Sequence, residues 1–142
     1  MCYMFYLGSD VPLPTSEWQR ESPAFHLSSG GDEIKEVKRH FTKPEVYYAG
    51  SHEGCGCGFF FDKNDDPEDY EIRKSSVRGL VEMLQQALES SSSAELLVTW
   101  TGFEKQAPSR RMNMKPEDLL VEEFPLDEKD FVIFSRSVEQ AD

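Results

Sequence analysis

Between Gly50 and Gly58 the chain reads Gly-Ser-His-Glu-Gly-Cys-Gly-Cys-Gly, so His52, Glu53, Cys55 and Cys57 are separated by small, permissive residues. Thiolates are soft ligands and imidazole suits zinc, which makes His52, Cys55 and Cys57 a candidate ligand set with zinc as the candidate ion. The one-residue gap between the cysteines departs from structural zinc sites, whose paired cysteines usually stand about two to four residues apart. A fourth ligand would have to be Cys2, His26 or His40, and spacing alone does not bring any of them near.

The same residues suggest a second chemistry, in which Cys55 or Cys57 is the catalytic nucleophile and His52 its general base. That role needs a thiol pKa lowered by a cation, a metal or a helix N-terminus. A third reading uses backbone rather than side chains. Glycine permits positive φ and close approach, so Gly54 and Gly56 could aim successive N–H groups at an anion, with Arg110 and Arg111 as partners. Against all three stands a plain glycine-rich connection whose cysteines pack as small hydrophobes.

Positioning these residues requires elements on both sides of the loop. Hydrophobic patterning predicts strands at Cys2–Leu7, Pro23–Leu27, Glu45–Ala49, Phe59–Asp62, Glu95–Thr101 and Asp130–Ser135. A first helix runs from an Asp32 cap to about Phe41. A second, capped by Ser75 or Ser76, carries Val77, Leu80, Val81, Leu84 and Leu88 on one face. Residues 62–71 and 103–114 read as loops, and Pro116 opens a short helix. Strands at 45–49 and 95–101 each run into a glycine and then a chemistry-bearing loop. If they are parallel, both loops emerge at one sheet edge, where open sheets bind ligands.

The expected fold is therefore α+β: a mixed, mainly antiparallel sheet of about six strands with two main helices packed on it. The 142 residues make one domain, with residues 136–142 as a flexible tail. The net charge of −12 is concentrated at 62–71 (net −5) and 117–130 (net −6). Such a surface repels a polyanion, which argues against general nucleic-acid binding and against an anionic membrane surface. The acidic run at Asp62 does not fit a calcium-binding EF-hand loop, because Pro67 and Arg73 stand where glycine and glutamate are needed. No apolar run reaches membrane-spanning length, and three cysteines without a disulfide framework suggest a reducing cytosol. The sequence thus favours a small ligand-binding or interaction domain working through the 50–58 loop, with a small anionic ligand or a protein as partner. The alternative is a metal protein or thiol enzyme using His52, Cys55 and Cys57.

Overall fold

A computed structural model describes residues 1–136. Six strands, β1 (Tyr3–Ser9), β2 (His26–Ser28), β3 (Glu45–Gly50), β4 (Ser93–Trp100), β5 (Arg110–Met114) and β6 (Asp130–Ser135), form one sheet in the order β2-β3-β1-β4-β6-β5. All neighbours are antiparallel except β5 and β6. Two helices, α1 (Glu33–Val37) and α2 (Pro67–Ala87), complete the expected α+β fold. Among the described residues, no helix is long and apolar enough to cross a membrane. The expected tail lies, apart from Arg136, outside the described residues.

The strand period of two sends alternate side chains to opposite faces, and each face is covered by one helix. Phe5, Leu7, Ala49, Leu96, Val98, Val132 and Phe134 meet the Val77, Leu80, Val81 and Leu84 stripe of α2 in the main core. Tyr6, Val46, Leu97 and Phe131 face the other way, against Val37 of α1, with Ile34 and Phe41 packed beside them.

Four elements differ from expectation. Phe59–Asp62 is not a strand: a 3-10 turn at Gly56–Phe59 delivers Phe59 and Phe61 into the main core from the α2 side of the sheet. Helix α2 begins at Pro67, well ahead of Ser75, so half of the acidic stretch is helical. Proline at N1 loses no hydrogen bond, and Glu68 and Asp69 in the first turn complement the helix dipole. Residues 110–114 form a strand, β5, whose register opposite β6 sets Arg110 beside Asp130 and Arg111 beside Phe131. Its pattern of charged and sulfur-bearing residues hides the strand period because the strand lies at the sheet edge. The first helix is also shorter than expected, passing into a 3-10 turn at Lys38–His40.

Candidate metal centre

β3 hands the chain to the glycine loop at Gly50, and Ser51 organises the loop's first turn. Ser51 is fully buried; its N–H and hydroxyl both donate to the Cys55 carbonyl, at 2.9 and 2.5 Å, and its hydroxyl accepts from the Glu53 N–H. Gly54 then turns the chain at φ +90°, a conformation L side chains rarely adopt, beneath the Trp18 ring. Trp18 Nε1 donates to the His52 carbonyl at 2.8 Å, and the Tyr48 hydroxyl donates to the Gly54 carbonyl at 2.7 Å. The loop is thus fastened by its own Ser51, by Tyr48 of β3 and by the distant Trp18.

Gly56 is required for a different reason. A Cβ there would lie 2.4 Å from Phe5 Cδ1 and 2.9 Å from the Tyr3 carbonyl oxygen, so only a glycine lets the loop reach the start of β1. That approach brings Cys55 and Cys57, on either side of Gly56, to Cys2. The three Sγ atoms all lie within 4.8 Å of one another, and all three residues are partly buried. Cys2 is held by the end of β4. Its N–H donates to Thr101 Oγ1 at 3.0 Å, while its carbonyl accepts from the Thr101 hydroxyl at 2.9 Å and the Thr101 N–H at 3.0 Å.

Support continues outside the sulfurs. The Tyr3 N–H donates to Cys57 Sγ at 3.4 Å, and Arg73 Nη1 donates to the Cys57 carbonyl at 3.0 Å. The Tyr3 ring packs on Phe60 and Trp100. Burial pushes the Cys55 thiol up to about 12, reinforced by its hydrogen bonds with the Cys2 and Cys57 thiols and opposed by a Cys57 backbone hydrogen bond.

His52 points elsewhere. Its Nδ1 lies 2.8 Å from Ser76 Oγ, its N–H donates to the same oxygen, and its Nε2 lies 3.9 Å from Glu53 Oε2. Burial lowers its pKa, with the Arg73 charge adding to that effect and Glu53 opposing it. With Pro23, Phe25, Ile72 and Gly79 it borders an open groove of about 670 Å³ beside α2. The His26 ring packs against Gly50, and His40 Nε2 lies 3.0 Å from the Glu104 carbonyl oxygen. The sulfur cluster therefore takes in Cys2 and, of the expected ligand set, Cys55 and Cys57, but not His52.

The arginines lie at the sheet's far side. Because β1 is antiparallel to both β3 and β4, those two strands are parallel and end at one edge, as the composite site required. Arg110 starts β5 at the same edge, but four strand positions from β3, roughly 19 Å at the usual spacing. Its guanidinium already grips Asp130 through Nε and Nη2 at 2.8 and 2.7 Å, and Arg111 lies 4.6 Å above the Phe131 ring. The sequence reading gave Ser51, Ser76, Thr101 and Arg73 no role at this site. Serine and threonine at these positions carry no spacing signal, since their partners come from distant parts of the chain. Comparison with protein-family models, with curated proteins and with solved structures finds no match.

Proposed function

We propose that this protein binds a thiophilic metal ion through Cys2, Cys55 and Cys57, with zinc the first ion to test. The observation that carries the reading is the convergence of three sulfurs, within 4.8 Å of one another, two from the glycine loop and one from Cys2, more than fifty positions earlier in the chain. Zn–S bonds of about 2.3 Å place tetrahedral sulfurs about 3.8 Å apart, so the triangle closes on an ion with shifts of about 1 Å or less. The Tyr3 N–H on Cys57 and the Thr101 clamp on Cys2 are the kind of outer contacts that orient metal ligands. Bound metal would join the start of β1 to the loop after β3 and add its binding energy to folding.

Thiol catalysis is the weaker reading. It needs a thiol made acidic, whereas the Cys55 pKa moves upward, and the candidate base, His52, is hydrogen-bonded to Ser76. A reducing compartment would keep the three thiols available for an ion.

The test is elemental analysis of protein purified without a histidine tag or chelator, together with melting in the presence and absence of a strong chelator. Near-stoichiometric zinc, a chelator-lowered Tm, and loss of both in Cys55→Ser are expected. Metal-free protein that takes up no added zinc and melts identically with chelator rejects the proposal.

A further inference from the structure

The coordination number of the centre is set by the surroundings of the sulfurs. Among the described residues, the group of ligand atoms within reach of one another contains Cys2, Cys55 and Cys57 and no fourth histidine, cysteine or carboxylate. His52 and Glu53 are close in sequence, yet His52 is bound to Ser76 and Glu53 lies beside Arg73 at 3.8 Å. Zinc in a structural site is almost always four-coordinate and would need a ligand from outside. A centre satisfied by three sulfurs would not.

Charge separates the three-coordinate candidates. Three thiolates leave a monovalent ion at −2 and a divalent ion at −1, but neutralise a trivalent centre completely. Arg73, which donates to the Cys57 carbonyl, is shared with Glu53 and Asp65, and the chain as a whole carries −12. Because all three cysteines are partly buried, a residual negative charge on the complex would be incompletely solvated. Resting on the metal-site reading above, we infer that the Cys2–Cys55–Cys57 triangle is built for a trivalent, three-coordinate thiophile of the arsenous acid class. The reaction is a condensation: each thiol proton leaves with one arsenic-bound hydroxyl as water. Three As–S bonds form as three As–O and three S–H bonds break, with no change of oxidation state.

The experiment uses reduced, metal-free wild-type protein titrated with arsenite, with zinc, and with both together at equal concentration, read by native mass spectrometry. The expected results are a single adduct with the mass of one arsenic less three protons, and displacement of zinc by arsenite. Cys57→Ser should lose the three-proton signature in any adduct it still forms. Zinc bound in single stoichiometry that arsenite fails to displace overturns this inference and leaves the metal site standing. Binding of neither zinc nor arsenite by the folded wild-type protein overturns both.

Discussion

The loop after β3 and the segment after β4 leave the sheet at the same edge, and each holds residues whose chemistry stands out in the sequence. Their fates in the fold are opposite. After β4, the charged groups find partners of their own: Arg110 takes Asp130 across one strand register, Arg111 covers Phe131, and Lys105 lies 3.8 Å from Glu36 on α1. After β3, backbone hydrogen bonds and buried hydroxyls fasten the loop, while its two thiols are gathered with a third and, among the described residues, given no carboxylate or imidazole in the cluster. Charged residues close together in a strand register tend to neutralise each other. Convergence of unlike segments on one point, with soft donors left together, is what makes the cysteine cluster the candidate site.

The glycines give the strongest way to break that comparison. Gly56→Ala must push a methyl group into the buried Phe5 ring and the Tyr3 backbone, so it should cost about 1–3 kcal/mol, as overpacking does, and abolish metal binding. Gly102→Ala, at φ +91° with nothing among the described residues within 4 Å of the new methyl, should cost about 1 kcal/mol through backbone strain and leave metal binding intact. Chemical denaturation of both variants, with metal content measured alongside, decides whether the two loops are built on different principles. Equal loss of metal in both would mean that they are not.

Arg111→Ala sharpens the contrast at a smaller scale. An exposed cation over an aromatic ring contributes about 0.5–1 kcal/mol, so a stability loss of that size with unchanged metal content is expected. A fall in metal affinity would tie the far side of the sheet to the centre.

Acid acts more weakly still, and on the β3 side. Burial holds His26 and His52 below the ordinary histidine value of 6.5, so the unfolded chain takes up protons first as pH falls. The folded protein should therefore lose stability progressively below about pH 6.5 and level off below the folded-state values, with no contribution from these groups above that range. Melting of metal-free protein from neutral to mildly acidic pH measures the slope, and His52→Gln should flatten it. An unchanged slope in that variant would place the acid sensitivity elsewhere.

Much of the fold was legible because burial writes itself into apolar periodicity. The Val77-to-Leu88 stripe, the ELLVTW strand and the 130–135 strand bury the faces their patterns announce. β5 was not legible: its sequence, Arg-Arg-Met-Asn-Met, is a strand only because β6 lies beside it. The start of α2 had a signal in Asp66-Pro67-Glu68-Asp69, which high charge density made look like a loop. For the centre, Cys55 and Cys57 were visible through the glycines around them. Cys2 was visible only as one of several distant candidates, because its nearness depends on β1 lying between β3 and β4, and strand order is a long-range property. His52 was misleading for the converse reason: three residues from Cys55 in sequence, it turns toward a serine on α2.

The place of β1 also has a consequence for the order of events during synthesis. This strand is made before the rest of the sheet, yet it lies between two partners that emerge some forty and ninety residues later. Until then its apolar residues have no sheet to enter, and both of its hydrogen-bonding edges are open to any extended neighbour. The Cys2 thiol shares that wait, because Thr101, which clamps its backbone, lies beyond the end of β4. A nascent chain on the ribosome would therefore present Cys2 as an ordinary reactive thiol. Its surroundings would be completed in stages, with Cys55 and Cys57 after β3 and the Thr101 clamp only once β4 arrives to complete the middle of the sheet.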